Sequence, residues 1–146
     1  MSDPRPVTII MIEDDFGHAL LIEKSIRRAG IANNIAHFDN GGAALEYLGD
    51  GSALRDQGGA ALILLDLNLS DMNGVEILKR IRETPLLSPV PVIILTTTDD
   101  AQEVERCYDL GCNVYITKPM NYDSFSEAIR QLGLFISVMQ IPEIQG

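Results

Sequence analysis

The chain has 146 residues, of which 46% are apolar, and its formal net charge is −10. This length favours one domain with one core, and the apolar fraction excludes a disordered chain. The negative charge would repel a phosphate backbone, which argues against nucleic acid as a partner. The apolar runs are far too short to span a bilayer and residues 1–6 show no signal pattern, so we expect a cytoplasmic protein without a membrane partner.

Strands and helices are predicted to alternate along the chain. The first strand, Val7–Ile12, is an unbroken apolar run typical of a strand covered on both faces, and the helix after it ends at Gly30. A second strand at Ile35–Phe38 leads to a helix at 43–48 and a glycine-rich loop at 49–59. Further strands are predicted at 61–65, 92–95 and 114–116, and a helix is predicted around 75–82. A capping box of Asp99 and Gln102 predicts the start of the next helix, which runs through Leu110. The last helix is predicted from an apolar face made by Phe125, Ala128, Ile129, Leu132 and Ile136.

This alternation predicts an α/β fold, a doubly wound five-stranded parallel sheet with helices on both faces. The sequence contains no internal repeat, low-complexity tract or linker. We therefore predict a single domain spanning residues 1–146, with a core at about 7–133. Residues 134–146 are expected to extend the last helix and end in a tail.

Charged and hydroxyl side chains follow the strands at the edge where open α/β sheets bind ligands. They are Glu13, Asp14 and Asp15 after strand one, Asp66 after strand three, Thr96 and Thr97 after strand four, and Lys118 after strand five. Carboxylates this close together need a cation, and oxygen ligands favour Mg²⁺ or Ca²⁺. With Lys118 and a hydroxyl nearby, the site suits a phosphoryl group. Each residue alone could be an ordinary polar loop end, and their shared position favours a site.

Other candidate residues receive less support from the sequence. Neither of the two glycine-rich phosphate-binding motifs, G-x-G-x-x-G and the P-loop pattern, occurs, so nucleotide binding is not supported. Asp14, Asp15 and His18 could form a metal triad, but we expect His18 at the exposed start of the first helix. Cys107 and Cys112 are expected to be buried, reduced thiols rather than zinc ligands or a redox pair.

Four segments, in this order, resemble the receiver domain of two-component response regulators: IEDD (12–15), LLDLNLSDMNG (64–74), ILTTTD (94–99) and YITKP (115–119). The resemblance covers about residues 7–132. It implies the flavodoxin-like receiver fold with strand order 2-1-3-4-5. It also implies a single-domain response regulator of a phosphorelay, which accepts a phosphoryl group from a histidine kinase and signals by conformational change and protein contacts. The segments DDFGHALLIEKSIRRAGI, CYDLGCNVYITKP and LGLFISVMQIPE are similar to small receivers that accompany bacterial phytochromes, which points to a phytochrome as the kinase.

The resemblance assigns the metal and phosphoryl roles by position. Asp66 matches the phosphoacceptor. Glu13 and Asp14 match the acidic pair that, with Asp66 and the backbone carbonyl of Asn68, holds Mg²⁺. Lys118 matches the lysine that pairs with the phosphoryl group.

The resemblance also assigns a switch and one unusual peptide bond. Thr96 matches the hydroxyl that contacts the phosphoryl group, and Tyr115 matches the aromatic side chain whose rotamer reports the phosphorylated state. The Lys118–Pro119 bond is cis in the family. Ser70 stands where the family usually has proline, which could loosen that loop.

Three other functions fit the sequence less well. A phosphatase with an aspartate nucleophile would carry an acid two residues later, where this chain has Asn68, which cannot be a general acid. A receiver-like scaffold that is never phosphorylated would be expected to lack one of the acids or the lysine. A flavodoxin-like cofactor carrier would need a phosphate-binding loop. We expect no enzyme, but a phosphoacceptor with slow self-dephosphorylation at most.

The C-terminal region suggests a homodimer. The run from Leu134 contains Phe135, Ile136, Val138, Met139 and Ile141, more apolar residues than one core-facing stripe requires. Exposed apolar patches of this kind usually mark an interface. We expect a dimer on the face of the fourth helix of the alternating pattern, the fifth strand and the last helix. The alternative is that the tail folds back on its own subunit.

Overall fold

The structure, a computed structural model, describes residues 7–56, 60–118 and 122–138, without the side chains of residues 122, 125 and 135–138. Within these ranges five strands alternate with six helices. The strands are β1 (Val7–Ile12), β2 (Ile35–Phe38), β3 (Ala60–Leu65), β4 (Val92–Thr96) and β5 (Val114–Thr117). The helices are α1 (Phe16–Arg28), α2 (Gly41–Leu48), α3 (Ser52–Asp56), α4 (Gly74–Glu83), α5 (Ala101–Asp109) and α6 (Tyr122–Val138).

All five strands are parallel and lie in the order β2-β1-β3-β4-β5, so the predicted fold class and strand order are confirmed. Every residue of the central strand β3 is apolar and buried, as a strand covered on both faces requires. The register pairs Ile12 with Leu65 and Thr96 with Thr117. The strands therefore end together, and the residues that follow them meet at one edge of the sheet.

Side chains alternate between two cores on the opposite faces of the sheet. In β1, Ile10 and Ile12 belong to the core under α2–α5, whereas Ile9 and Met11 belong to the core under α1 and α6. α6 packs closely on the end of α1. A Cβ added at Gly133 would lie 2.7 Å from the Cβ of Ala29, so this contact requires glycine.

Some predicted boundaries were wrong. The predicted loop at 49–59 contains α3, which is too short for periodicity to reveal; Leu54 is buried there, and Asp50 accepts a hydrogen bond from the Ser52 N–H. The cap of α5 is Asp100 rather than Asp99, because the Asp100 carboxylate accepts from the Gln102 N–H. α2 begins at Gly41, capped by the Asn40 side chain.

Other predictions fall partly or wholly outside the described residues. The Lys118–Pro119 bond and the tail at 139–146, with Met139 and Ile141, lie there. Cys107 and Cys112 are both buried and unpaired, as predicted. Among the helices of the described ranges, none combines the length and apolar character needed to cross a membrane.

Candidate functional site

Three acidic side chains meet at the carboxyl ends of β1 and β3. Glu13 and Asp14 directly follow β1, and Asp66 directly follows β3. The Asp66 N–H donates to the Ile12 carbonyl at 3.0 Å, which holds the two strand ends together. One carboxylate oxygen from each acid lies within 4.8 Å of the other two. Glu13 and Asp66 are buried and Asp14 is half-buried, so this oxygen donor set fits a hard divalent cation.

Lys118 places a positive charge against two of these acids. Its side chain is 2% exposed, and its Nζ lies 3.1 Å from Asp66 Oδ2 and in contact with Glu13 Oε1. The Lys118 N–H donates to the Thr96 carbonyl at 2.6 Å, which fixes the backbone just after β5. The site therefore combines three carboxylates with one ammonium in a space largely closed to solvent.

The pKa values of the two buried acids shift in opposite directions. Burial raises the pKa of Glu13 to about 7; a hydrogen bond with the Asp66 carboxylate adds to this, and Lys118 offsets part of it. Burial acts on Asp66 in the same direction, but hydrogen bonds from Glu13 and the Asn68 N–H, with the charge of Lys118, outweigh it and lower the pKa of Asp66. Asp66 is therefore the stronger acid of the pair, and its ionised form is the one that can act as a nucleophile.

The Asn68 side chain links the ends of β3 and β4. Its amide nitrogen lies 3.2 Å from Thr96 Oγ1, 3.2 Å from Thr97 Oγ1 and 3.1 Å from Thr98 Oγ1. Its backbone N–H donates to Asp66 Oδ1 at 3.0 Å. The family resemblance gave Asn68 one role, a metal ligand through its backbone carbonyl, and this stays a prediction. Nothing in the sequence indicated the contacts of its side-chain amide.

Tyr115, on β5, contacts the segment that follows β4. Its side chain is half-buried, and its hydroxyl donates to the Thr98 carbonyl at 2.6 Å. Burial raises the pKa of Tyr115 to about 12. The Tyr108 hydroxyl accepts a hydrogen bond from the Tyr115 N–H at 3.1 Å. Tyr115 is thus connected to the segment that directly follows Thr96, the last residue of β4.

The environment of His18, near the site, differs from the predicted one. His18 lies in the first turn of α1 as expected, but its ring is only half-exposed and its Nδ1 lies 3.2 Å from Lys118 Nζ. The alternative triad of Asp14, Asp15 and His18 is not the metal-binding cluster of the described residues, which is Glu13, Asp14 and Asp66. His18 Nδ1 lies 3.9 Å from Asp15 Oδ2, while Asp15 Oδ1 caps α1 by accepting from the His18 N–H.

Asp71 connects the loop after Asp66 to α2. Its two carboxylate oxygens accept from the N–H groups of Gly41 and Gly42 at 2.8 and 2.9 Å. At the end of the same loop, a Cβ on Gly74 would lie 2.4 Å from the Asp66 carbonyl oxygen, so only glycine fits. The loop is therefore held in place although Ser70 occupies the usual proline position.

Comparison with known proteins identifies the family. The sequence model described as "Response regulator receiver domain" matches residues 9–130. Response regulator Rcp1 of Synechocystis is 30% identical over 137 residues, which cover 92% of this chain and 93% of that protein. The structure of its Mn²⁺-bound form superposes with a TM-score of 0.80 at 26% identity, covering 95% of this chain and 99% of that one.

Two further solved structures are similar. A response regulator receiver domain from Rhodospirillum rubrum has a TM-score of 0.89 and 62% identity, covering 95% of this chain and 99% of that one. The phosphorylated cyanobacterial phytochrome response regulator RcpA has a TM-score of 0.80 and 28% identity, covering 93% and 98%. The likeness to phytochrome-associated receivers, first seen in three sequence segments, is thereby confirmed. The chain belongs to the receiver domain family of two-component response regulators.

Proposed function

We propose that this receiver accepts a phosphoryl group on Asp66 from the phosphohistidine of a partner histidine kinase and signals by changing shape. One observation carries the proposal: the Asp66 carboxylate is held as an anion 3.1 Å from the Lys118 ammonium, within 4.8 Å of the other two acids. A nucleophile beside a fixed cation and a metal-binding donor set is the arrangement that phosphoryl transfer needs. The product is the protein's own altered state, so we propose self-dephosphorylation as its only turnover.

In the proposed reaction an Asp66 oxygen attacks the phosphorus atom. An O–P bond forms and the P–N bond of the phosphohistidine breaks, with the electron pair remaining on the imidazole nitrogen. Lys118 faces the phosphoryl oxygens on which negative charge collects, and the Thr96 hydroxyl, a hydrogen-bond partner of the Asp66 carboxylate, is a neutral donor beside them. A divalent cation held by the three acids would supply further positive charge at the same place.

A matched pair of variants tests the phosphoacceptor. The protein is incubated with a small phosphodonor and Mg²⁺, and intact mass is measured. Wild type should gain one phosphoryl group and Asp66→Asn none. Asp71→Asn, which changes an exposed acid in the same loop, should gain as much as wild type. An equal gain in Asp66→Asn would contradict the assignment.

We propose Mg²⁺ as the physiological metal, held by the carboxylates of Asp14 and Asp66 and the backbone carbonyl of Asn68, with Glu13 acting more weakly through a water molecule. Support comes from the donor set and from the Mn²⁺ that Rcp1 binds. Because a ligand that binds only the folded state stabilises it, Mg²⁺ should raise the melting temperature. Asp14→Ala should abolish this response, whereas Asp15→Ala, which removes an exposed acid that caps α1, should retain it.

We propose that phosphorylation draws Thr96 towards the phosphoryl group and turns Tyr115 inward. The hydrogen bond from Tyr115 to the Thr98 carbonyl supports this coupling, because both threonines lie on one short segment. A differential stabilisation of a few kcal/mol is enough to shift the population. Structures with and without a phosphoryl mimic test it, and unmoved Thr96 and Tyr115 side chains would contradict it.

We propose a phytochrome-type histidine kinase as the partner, on the likeness to RcpA and Rcp1. Phe16 and Leu20 lie one turn apart on α1, beside the site, and are 70% and 54% exposed. We propose that they contact the kinase. Phe16→Ser should slow phosphotransfer from such a kinase but leave phosphorylation by a small phosphodonor unchanged. Leu134→Ser, on α6, should leave both reactions unchanged.

We further propose a single receiver domain over residues 1–146, located in the cytoplasm, that forms a homodimer through α5, β5, α6 and the tail. Within the described residues, Tyr108 and Leu134 support the interface, since each is 47% exposed. Light scattering of the full chain and of a chain ending at Gly133 tests this. A full chain that stays monomeric would refute the dimer, and a dimer that survives truncation would move it away from the tail.

A further inference from the structure

The third contact of the Lys118 ammonium is a histidine. Its Nζ reaches Asp66 Oδ2 at 3.1 Å, Glu13 Oε1 and the Nδ1 of His18 at 3.2 Å. An ammonium has three N–H donors and no acceptor. The three acceptors come from the end of β3, the end of β1 and the first turn of α1, so each donor can point at a different element.

This contact determines the role of the His18 ring. Because an ammonium can only donate, Nδ1 is the acceptor in this contact, and the tautomer that fits it carries the ring proton on Nε2. Two carboxylate oxygens, Glu13 Oε1 and Asp15 Oδ2, lie further from Nδ1, at 3.9 Å each. The first turn of α1 is itself fixed, since the His18 N–H donates to Asp15 Oδ1 at 2.9 Å. The imidazole therefore approaches Lys118 from an anchored backbone.

A neutral acceptor does something that a third acid could not. A carboxylate in this place would cancel the positive charge that the phosphoryl oxygens need, and it would add repulsion to Glu13 and Asp66. The imidazole holds the ammonium by a hydrogen bond and leaves its charge intact. Lys118 can then exchange one acceptor for another without losing its place.

We propose that His18 is a positioning residue for phosphoryl transfer. It holds the Lys118 ammonium over Asp66, so that the N–H now donated to Asp66 can turn to an oxygen of the incoming phosphoryl group. This inference rests on the proposed function of Asp66. Nothing in the resemblance assigned a role to this position, and the sequence predicted an exposed helix start there.

Two variants of similar shape separate the hydrogen bond from packing. Asn carries its side-chain oxygen on Cγ, as His carries Nδ1, so His18→Asn keeps an acceptor close to the same position. His18→Leu has the same branching without an acceptor. A loss in the leucine variant that asparagine restores is therefore due to the hydrogen bond.

The first measurement needs no phosphodonor. The ¹H–¹⁵N NMR signal of the Lys118 ammonium, assigned with Lys118→Met, should be observable in wild type because its protons are bound and shielded from solvent. It should persist in His18→Asn and broaden or vanish in His18→Leu. The ¹⁵N shifts of His18 should show protonation on Nε2 alone, and protonation on Nδ1 would overturn the proposal.

The second measurement is the rate of Asp66 phosphorylation with a small phosphodonor and saturating Mg²⁺. His18→Leu should be slower by about tenfold, the worth of one hydrogen bond to a charged group, and His18→Asn should remain near wild type. The Mg²⁺ dependence should be unchanged in both variants, since His18 is not a proposed ligand. Equal rates in leucine and asparagine variants, or a weakened Mg²⁺ response, would overturn the proposal.

The two measurements also separate this inference from the proposed function. If wild type gains no phosphoryl group, the assignment of Asp66 fails. The NMR signal then still decides whether His18 holds Lys118, and a signal unaffected by His18→Leu refutes the positioning role.

Discussion

Two cations, half-buried Arg82 and buried Lys118, lie at opposite ends of the parallel strands. Lys118 follows β5, at the carboxyl edge, and its acceptors are two acids and an imidazole. Arg82 lies on α4 near the amino ends of β4 and β5, and its acceptors are all neutral. Burial raises the free energy of both cations, so each needs acceptors, but the two sets of acceptors differ in whether they can be replaced.

Arg82 uses its whole guanidinium group. Its five N–H donors reach the carbonyls of Gly111, Ser88 and Val90 and the Asn113 side-chain oxygen in five hydrogen bonds of 2.6–3.0 Å. Gly111 has a φ of +100°, and a Cβ there would lie 2.9 Å from Arg82 Nε. This arrangement joins α4 to the segments before β4 and β5 and leaves no donor for a ligand.

The comparison shows how a structural cation differs from a functional one. Backbone carbonyls cannot leave or change charge, so Arg82 stays where it is throughout any reaction. The acceptors of Lys118 are ionisable side chains in a site that can admit a metal and a phosphoryl group. Lys118 is buried and Arg82 half-buried, and the chemistry of their acceptors separates the functional cation from the structural one.

The largest effect is expected for Lys118→Met. Removing the only cation among the described residues at the acidic cluster should slow phosphorylation of Asp66 by about 10²- to 10³-fold, the usual cost of losing one charge-stabilising group. Unfolding should remain cooperative, since the fold does not depend on a residue that exchanges its partners. Phosphorylation is followed by intact mass, with Lys79→Met, which changes an exposed lysine of α4, as the control. A normal rate would assign Lys118 a structural role.

The converse effect is expected for Arg82→Met. Losing five hydrogen bonds, with four oxygens left to find water, should lower the free energy of unfolding by about 3 kcal/mol. Urea denaturation measures it, and the folded variant should still be phosphorylated at the wild-type rate. Arg82→Lys should recover only part of the loss, because an ammonium cannot match the planar fork. A small loss, like that of exposed Arg80→Met, would contradict the structural role.

A smaller, pH-dependent effect is expected for Asp71→Ala. The N–H groups of Gly41 and Gly42 hold the pKa of Asp71 below its usual range. A lowered pKa in the folded state means that the stabilisation is present above the unfolded pKa, about pH 4, and is lost as the pH falls through the folded pKa. The variant should therefore melt below wild type at pH 7 and together with it in strong acid. A difference independent of pH would contradict this linkage.

The smallest effect concerns the two buried thiols, of which Cys112 lies near Arg82. Burial raises the pKa of Cys107 to about 11, and burial also raises the pKa of Cys112. Neither should react with a maleimide at pH 7 in the native protein, because both thiolate and access are lacking. In Arg82→Met, Cys112 should be labelled before Cys107, which peptide mass mapping would detect. Rapid labelling of native wild type would refute both statements.

The fold and most of the site were predictable because their signals are local. Unbroken apolar runs identified β1 and β3, and Asp66 is recognisable from the strand that precedes it. The capping residue of α5 was wrong by one position, because Asp99 and Asp100 are both plausible and only geometry selects one. α3 spans five residues, less than two turns, too few for a periodic pattern.

The contacts that the sequence did not reveal are long-range. His18 and Lys118 are 100 residues apart, Asp71 and Gly41 are 30 apart, and Arg82 and Gly111 are 29 apart. Each pairs a polar side chain with a group that only the folded sheet brings close. Periodicity and capping rules describe neighbours along the chain, so they do not contain this information.

The packing of α6 on α1 has a consequence for synthesis on the ribosome. The core under α2–α5 is built from residues up to Cys112, whereas the opposite core requires Ile129 and Leu132 of α6. We therefore expect nascent chains that end before α6 to protect the first face from protease and to expose Ile9, Leu62 and Ile93 on the second. Force-sensing arrest peptides placed at successive lengths would locate this step. A folding signal before α6 has left the exit tunnel would show that α1 can cover its face alone.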